Sequence, residues 1–352
     1  MIPVLRGIGY LLHIPAAMAV LSIAVCWAAG EPGGIAGFVI TASLTLPAGQ
    51  VLLAAARGGP DIERRHAMQV AAVAWLVIPL AGALPFRVSA MGDIPAPVGA
   101  LAPFRDFLGA YFEAVSGFTA TGLTLAPAPQ HLPAHLQWWR SFSEWVGGIG
   151  VVVLLLTLLS PGRSSLHLFF SEARTEKIFP TVTSTARTIW VIYLLYTAAG
   201  AGLLRAAGAP PWEALNHAMT AIATGGFTIT ADSLAHTGSA ERAVYLVLMV
   251  LGAISFAAHY RILRLGDVRS GLWGSTEMRL FWGLLLLGTG AVMGEALFFD
   301  TKASLGEAAF EWVSALTTAG LSTAPPGAWH PGLALWLVLA MLVGANAGST
   351  GG

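Results

Sequence analysis

The most informative stretch of this sequence is FEAVSGFTATGL at residues 112–123, which recurs as FEWVSALTTAGL at residues 310–321. The two copies lie at an offset of 198 residues, since 310 − 112 = 198. A weaker copy, ATGGFT at residues 223–228, lies between them, with its second glycine 104 residues after that of the first copy (226 − 122 = 104). Three copies at such spacing indicate an internal repeat of about one hundred residues.

The composition excludes most classes of soluble protein. The chain has 352 residues, of which 56% are hydrophobic and only 10% are charged, and its mean hydropathy is +0.71. Soluble domains carry about 25% charged residues because their surface faces water. The equal numbers of basic and acidic residues, 18 each, exclude a nucleic-acid-binding surface, and the single Cys26 excludes a disulfide framework. The composition therefore predicts a polytopic membrane protein.

Long apolar segments define the predicted spans. A helix needs about 20 apolar residues to cross the hydrocarbon core. Seven segments qualify, and an eighth begins near Pro331. They are 4–30, 35–56, 67–88, 136–160, 187–207, 242–262 and 278–299. The predicted fold is an all-α polytopic membrane protein.

The basic residues predict the orientation of these spans. Segments 57–66, 161–187 and 261–279 contain eleven Arg and Lys residues, whereas the connections on the opposite side contain six. Cytoplasmic loops carry the excess of basic residues in membrane proteins. We therefore expect these three segments and the amino terminus in the cytoplasm.

Each copy of the repeated motif lies in a connection that begins and ends on the same side of the membrane, at 89–135, 208–241 and 301–331. Within each connection, a short apolar helical piece leads into a strand rich in threonine and glycine. These pieces are too short to cross the membrane, so we predict re-entrant half-helices followed by extended backbone. The repeating unit is then span, half-helix, glycine strand and span.

Such an arrangement suits the dehydration of an ion. Non-helical backbone at membrane depth is tolerated only where it is buried in protein or lines a water-filled path. Strands with small side chains can converge and direct carbonyl oxygens at one axis, and such carbonyls replace the hydration shell of potassium. The carboxyl end of each half-helix adds a partial negative charge that favours a cation.

The chain resembles the superfamily of TrkH, KtrB and HKT potassium transporters, and the TrkH family most closely. The resemblance is carried by residues 112–124 and 310–323 and by four further motifs: WVGGIG at 145–150, TARTIW at 185–190, HYR at 259–261 and AGSTGG at 347–352. It implies span–pore loop–span repeats around one potassium pore, preceded by two additional helices. The corresponding domains are the additional helices at 1–60, repeat 1 at 61–165, repeat 2 at 166–272 and repeat 3 at 273–352.

The resemblance also implies the residues that bind the ion. Gly122, Gly226 and Gly320 are then the filter glycines of the three repeats. We define three filter segments: segment 1 is Thr119, Ala120, Thr121, Gly122 and Leu123; segment 2 is Thr224, Gly225, Gly226 and Phe227; segment 3 is Thr317, Thr318, Ala319, Gly320 and Leu321. Their backbone carbonyls are expected to coordinate potassium as the transported substrate, with no cofactor in this chain.

A gating element is implied at the end of the sequence. In the family, the second inner helix of repeat 3 is broken by a glycine-rich intramembrane loop, here Asn346, Ala347, Gly348, Ser349, Thr350, Gly351 and Gly352 (the glycine loop). Glycine-rich backbone predicts few contacts holding this loop. The sequence stops inside it, so we expect the rest of that helix and the fourth repeat to be absent from this chain.

The partners and location also follow from the resemblance. It implies a homodimer in membrane lipid, with a cytoplasmic TrkA-type nucleotide-binding regulatory subunit and no nucleic acid. It favours the inner membrane of a bacterium. The alternative is a secondary transporter of another solute with broken helices, which would be expected to have inverted repeats and charged midplane residues. An enzyme is not expected, because no cluster of His, Asp and Glu occurs at one depth.

Two features have structural as well as functional interpretations. Glu113 and Glu311 could attract cations, or they could hold their half-helices by hydrogen bonds to nearby backbone, which is the favoured interpretation for buried carboxylates. The glycines at 147–150 and 288–294 are interpreted mainly as small surfaces for helix packing.

Overall fold

A computed structural model describes residues 1–60, 62–150, 182–299, 304–325 and 329–352. Within these ranges the regular secondary structure is helical. The chain forms two compact units, Met1–Arg187 and Thr188–Gly352. The all-α fold expected from the sequence is therefore confirmed.

The first unit contains three long helical segments and one half-helix. Its helices are α1 (Ile2–Leu11), α2 (His13–Ala28), α3 (Ile35–Ala55), α4 (Arg64–Met91), α5 (Phe107–Phe118) and α6 (Ala134–Ile149). Helices α1 and α2 follow each other with a single intervening residue and count together as one candidate span. The short helix α5 is the half-helix of repeat 1, and α6 follows its filter segment.

The second unit contains two half-helices. After α7 (Val182–Ala207), its helices are α8 (Pro211–Ala223), α9 (Ser239–Ala253), α10 (Phe256–Leu265), α11 (Val268–Trp273), α12 (Thr276–Phe298), α13 (Leu305–Leu316) and α14 (Pro331–Val343). Helices α8 and α13 are the half-helices of repeats 2 and 3. Their buried faces share a core with α9, through residues such as Ala218, Tyr245 and Phe310.

Five helices in the described part of the chain are long and apolar enough to cross a membrane. They are Ile2–Ala29, Pro32–Ala55, Arg65–Met91, Ala186–Ala207 and Thr276–Phe298. These match five predicted spans. The predicted span 136–160 is helical up to Ile149, and residues 151–160 lie outside the described residues, as does most of the predicted cytoplasmic segment 161–187.

The predicted span 242–262 is not one straight helix. The chain forms two helices there, α9 and α10, bent by 102° with respect to each other. Ile254 and Ser255 have extended backbone, and the Ser255 hydroxyl accepts the N–H of Ala258 as the N-cap of α10. A new helix therefore starts at Ser255, although the apolar character of the sequence continues through the bend.

Glu31 positions the amino end of α6 in the first unit. Its carboxylate accepts the N–H groups of Ala134 at 2.9 Å and His135 at 3.0 Å, and it lies 2.6 Å from Nδ1 of His135. These hydrogen bonds satisfy amides that a helix start leaves without partners. Burial alone would raise the pKa of Glu31, but the hydrogen bonds from His135 and Ala134 hold it below its usual value.

Two glycines allow the second helix of a repeat to touch the carboxyl end of its half-helix. A Cβ at Gly147 in α6 would lie 2.0 Å from the carbonyl oxygen of Phe118, and a Cβ at Gly252 in α9 would lie 2.7 Å from that of Ile222. Both distances are below van der Waals contact, so only glycine fits. The packing interpretation of the 147–150 motif is confirmed at Gly147.

The glycines of α12 differ in their surroundings. A Cβ at Gly288 would lie 1.9 Å from the ring of Trp312, whereas a Cβ at Gly290 or Gly294 would meet no described atom within 4 Å. Trp312 also donates its indole N–H to the carbonyl of Leu284 at 3.1 Å. The packing interpretation therefore holds for Gly288, which seats α12 against the half-helix α13.

We expect Gly288→Ala to lower the thermal unfolding midpoint of the purified protein and Gly290→Ala to leave it unchanged or raise it. Overpacking a filled site costs about 1–3 kcal/mol, because the indole of Trp312 must move. At the open position, alanine gains about 1 kcal/mol in helix propensity. The pair differs by two positions in one helix, and equal midpoints for both variants would contradict this account of the contact.

Candidate ion-conduction site

The three half-helices end in the same hydrogen-bonding pattern. In repeat 1, the N–H of Thr121 bonds to the carbonyl of Ser116 at 2.9 Å, and the N–H of Ala120 bonds to that of Gly117 at 2.9 Å. These are the 6→1 and 5→2 bonds of a Schellman motif. The equivalent pairs are Gly225 to Thr220 with Thr224 to Ala221 in repeat 2, and Ala319 to Ser314 with Thr318 to Ala315 in repeat 3.

The left-handed residue of each motif is not glycine. Ala120, Thr224 and Thr318 have φ values of 50°, 51° and 55°, and they occupy equivalent positions in the three repeats. Glycine is the usual residue at this position of a helix end. A left-handed conformation costs a residue with a side chain about 1–2 kcal/mol, and strained backbone of this kind clusters at functional sites.

The predicted filter glycines follow two residues later, also with positive φ. The values are 76° at Gly122, 91° at Gly226 and 68° at Gly320. Each filter segment therefore contains two residues of positive φ separated by one that is not. Reversing the sign of φ turns the peptide plane over, so this backbone can direct successive carbonyls to one side, which a regular strand does not do.

Filter segments 2 and 3 approach each other within the second unit. A Cβ at Gly320 would lie 3.4 Å from the Cα of Gly226. In segment 2, Thr224, Gly225 and Phe227 are buried; in segment 3, Thr317, Ala319 and Leu321 are buried. Two of the predicted segments are thus brought together at their glycines.

Filter segment 1 has the same internal geometry in the first unit. Thr119, Thr121 and Leu123 are exposed there, and Ala120 and Gly122 are half-buried. The Thr119 hydroxyl donates to the carbonyl of Val115 at 2.7 Å, as that of Thr317 donates to Val313 at 2.7 Å. The correspondence between repeats 1 and 3 therefore extends from the sequence to local backbone and side-chain bonds.

Glu113 and Glu311 hold the strands that follow their filter segments. Glu113 accepts the N–H of Leu125 at 2.9 Å, and Glu311 accepts the N–H of Thr323 at 2.7 Å. Both carboxylates also accept a hydroxyl, from Thr124 at 2.7 Å and from Ser322 at 2.9 Å. The structural interpretation of these two residues is therefore confirmed.

Arg140 provides the counter-charge of Glu113. Its Nε lies 2.7 Å from a carboxylate oxygen of Glu113, and both side chains are almost fully buried. The spacing of Arg140 and Glu144 in the sequence, at i and i+4, predicts a pair within α6, but nothing in the sequence indicates that α6 supplies a cation to the half-helix α5. Removing one partner of such a buried pair would leave an uncompensated charge.

In repeat 2 a histidine takes the position of the glutamates. Position 217 is 104 residues after 113 (217 − 113 = 104), and Nε2 of His217 accepts the N–H of Ile229 at 3.1 Å. The Nδ1 atom lies 3.0 Å from the hydroxyl of Tyr245 in α9. His217 is not among the residues predicted from the sequence, although the offset between the repeats leads to it.

Glu213 carries the charge at the outer end of α8. It lies 2.9 Å from Nε2 of His236 and 3.6 Å from Nδ1 of His217. Burial alone would lower the pKa of His236, but the hydrogen bond and the charge of Glu213, together with Asp232, raise it above its ordinary value. The raised pKa extends upward the pH range in which His236 carries a positive charge beside Glu213.

The glycine loop is anchored by hydrogen bonds to the bend between α9 and α10. Asn346 donates its backbone N–H and its Nδ2 to the carbonyl of Ala253 at 3.1 and 3.0 Å, and the N–H of Thr350 bonds to the carbonyl of Gly252 at 3.1 Å. The carbonyl of Gly348 accepts the N–H of Phe256 at 3.0 Å. The expectation of few contacts is wrong, because helix α9 ends here and leaves carbonyls free to accept from the loop.

The glycine loop also contacts the carboxyl ends of two half-helices. The Thr350 hydroxyl lies 2.8 Å from the carbonyl of Ile222 near the end of α8, and the N–H of Gly352 bonds to the hydroxyl of Thr318 at 2.9 Å. In the same loop, Ala347 donates its N–H to Glu277, and Ser349 accepts the N–H of Gly351 at 3.2 Å. The loop therefore lies directly against filter segment 3 and the half-helix that leads into segment 2.

The chain is similar to known cation transport proteins. Residues 37–352 match the family model described as "TrkH: Cation transport protein". The chain is 33% identical over 294 residues to the uncharacterized cation transporter MJ1485 of Methanocaldococcus jannaschii, covering 83% of this chain and 57% of that protein. It is 30% identical over 326 residues to the Trk system potassium uptake protein TrkH of Halomonas elongata, covering 90% of this chain and 65% of that protein. The chain thus spans somewhat more than half the length of these relatives.

A solved structure is also similar. The crystal structure of the potassium transporter TrkH from Vibrio parahaemolyticus superposes with a TM-score of 0.84 at 26% sequence identity. The match covers 100% of this chain and 72% of the other.

Proposed function

Because this chain belongs to the TrkH family of cation transport proteins, we propose that it supplies filter strands to the pore of a potassium uptake system. The observation that carries the proposal is the threefold recurrence of one backbone geometry. Each of the three half-helices ends in a Schellman motif with a strained left-handed residue, followed two residues later by a glycine of positive φ.

This geometry suits a dehydrated cation. The half-helices point their carboxyl ends at the filter segments, where the partial negative charge of the helix favours a cation. Carbonyl oxygens of filter segments 1, 2 and 3 replace water around potassium, with Gly122, Gly226 and Gly320 as the filter glycines. The nearness of Gly226 and Gly320 supports convergence of two of these segments on one axis.

The glycine loop is proposed as the gate. Its contacts with α8 and Thr318 place it against the carboxyl ends of the half-helices, where an ordered loop would obstruct the ion path. Repeat domains at 61–165, 166–272 and 273–352, after two additional helices in 1–60, are part of the same proposal.

The proposal extends to the setting of the protein. It works in the bacterial inner membrane as a homodimer, with a TrkA-type nucleotide-binding subunit on the cytoplasmic side. The name of the relative from Halomonas elongata, a Trk system potassium uptake protein, supports the part of this proposal that places the chain in a Trk system. The three filter segments contain no charged residue, which gives no support to the alternative, a secondary transporter with charged midplane residues.

Rubidium uptake tests the proposal. The full-length gene product is expressed in a bacterial host that lacks potassium uptake systems, and entry of radioactive rubidium is measured with and without competing ions. We expect uptake that potassium suppresses and equimolar sodium does not. Membrane-inserted, folded protein without rubidium uptake above the empty host would overturn the proposed function.

A further inference from the structure

One backbone hydrogen bond recurs in all three repeats with different acceptors. In each repeat, a side chain of the half-helix accepts the N–H of the residue twelve positions later, just beyond the filter segment. The pairs are Glu113 with Leu125 at 2.9 Å, His217 with Ile229 at 3.1 Å and Glu311 with Thr323 at 2.7 Å. The geometry of the bond is therefore kept while the acceptor changes from a carboxylate to an imidazole.

We propose that His217 is the positioning residue of filter segment 2, and that it acts by accepting the N–H of Ile229 at Nε2. This inference rests on the proposed function. Ile229 lies two residues beyond Phe227, the last residue of the segment, so this bond fixes the outer end of the strand to the half-helix. His217 does not touch the ion; it acts through the backbone that does.

The surroundings of His217 hold its ring in the accepting form. A ring nitrogen that accepts an N–H has no proton of its own, so a neutral His217 carries its proton on Nδ1. That atom lies 3.0 Å from the hydroxyl of Tyr245 and 3.6 Å from Glu213. His217 and Tyr245 are fully buried, so water does not replace either partner.

The bond matters because the N–H of Ile229 is buried. A buried amide without an acceptor is costly, so its strand shifts until the amide finds a partner or water. Such a shift moves the carbonyls of segment 2, two to five residues away along the chain. Filter segment 2 also packs against filter segment 3 at Gly226 and Gly320. A displacement of the strand therefore moves the carbonyls of both segments.

The test compares three variants of the full-length gene product. His217→Leu removes the acceptor, and His217→Gln restores one, because the glutamine amide oxygen reaches about as far as Nε2. His236→Gln is the matched control, since His236 shares Glu213 but does not hold the strand at Ile229. We expect the potassium-to-sodium permeability ratio to fall about tenfold in His217→Leu and to stay within about twofold of the wild type in the other two.

Amide hydrogen exchange keeps the test independent of transport. Exchange of a peptide containing Ile229 is expected to be faster in His217→Leu and wild-type-like in His217→Gln. Slow exchange in the folded His217→Leu variant would show that the bond between His217 and Ile229 does not hold the strand. Fast exchange with an unchanged permeability ratio would show that this bond does not position the filter. A wild-type protein that transports no potassium would instead contradict the proposed function. The exchange measurement would still decide whether His217 holds the N–H of Ile229.

Discussion

Replacing Gly122 with serine in the full-length gene product should lower the potassium-to-sodium permeability ratio by about tenfold. Gly122 has a φ of 76°, and a residue with a side chain pays about 1–2 kcal/mol for this conformation. Ala120, two residues earlier, already carries such strain at 50°. A second strained residue is expected to relax by turning a carbonyl away from the ion. Reversal potentials in mixed potassium and sodium measure the ratio.

Gly99→Ser is the control for this prediction. Gly99 lies in the same structural unit with a φ of 89°, and a Cβ there would meet no described atom within 4 Å. The variant therefore imposes a similar backbone strain outside the filter segments. We expect it to lower stability slightly and to leave the permeability ratio unchanged. An unchanged ratio in Gly122→Ser would show that segment 1 is not part of the filter.

The sequence predicts the half-helices well because two independent signals coincide there. Each apolar piece is too short to cross a membrane, and the pieces of repeats 1 and 3 recur at a constant offset of 198 residues. Thus the apolar piece predicted within 89–135 is the helix Phe107–Phe118, and its copy within 301–331 is the helix Leu305–Leu316. Positive φ at Gly122 is equally foreseeable, since glycine tolerates it without a steric cost.

The strained residues before the glycines could not be predicted from residue type. Alanine at 120 and threonine at 224 and 318 favour negative φ. Their left-handed conformation is imposed by the Schellman motif and by the packing of the half-helix ends. One example is the close approach of Gly147 to the carbonyl of Phe118, which depends on the position of the following helix and so has no local signature.

The bend after Ala253 was missed for a different reason. The apolar character of α9 continues through the bend into α10, so the sequence of the two helices resembles one continuous span. The local signal was Ser255, an N-cap residue inside an apolar segment. The partners of the freed carbonyls, Asn346 and Thr350, lie far along the chain in the glycine loop, where no sequence pattern links them to the bend.

Shortening the glycine loop by deleting Gly348–Gly351 should raise the basal potassium flux of the full-length gene product at least tenfold. The deletion removes the bond from Gly348 to Phe256 and those from Thr350 to Gly252 and Ile222, and each is worth about 0.5–1.5 kcal/mol. A sum of ~1.4 kcal/mol already changes the closed-to-open ratio tenfold. Rubidium flux into proteoliposomes of matched protein content measures the effect.

Thr350→Ala separates the anchoring of the loop from its mere length. This variant keeps the loop at its full length and removes a methyl group and the hydroxyl, which lies 2.8 Å from the carbonyl of Ile222 and 2.9 Å from that of Gly252. Loss of about 1 kcal/mol predicts a flux increase of about fivefold.

Ser349→Ala is the matched control, because the bond that the structure describes for the Ser349 hydroxyl stays within the loop, from the N–H of Gly351. If Thr350→Ala leaves the flux at the wild-type level while the deletion raises it, the loop obstructs the pore without being held by the hydroxyl of Thr350. If neither variant raises the flux of folded protein, the glycine loop is not the gate.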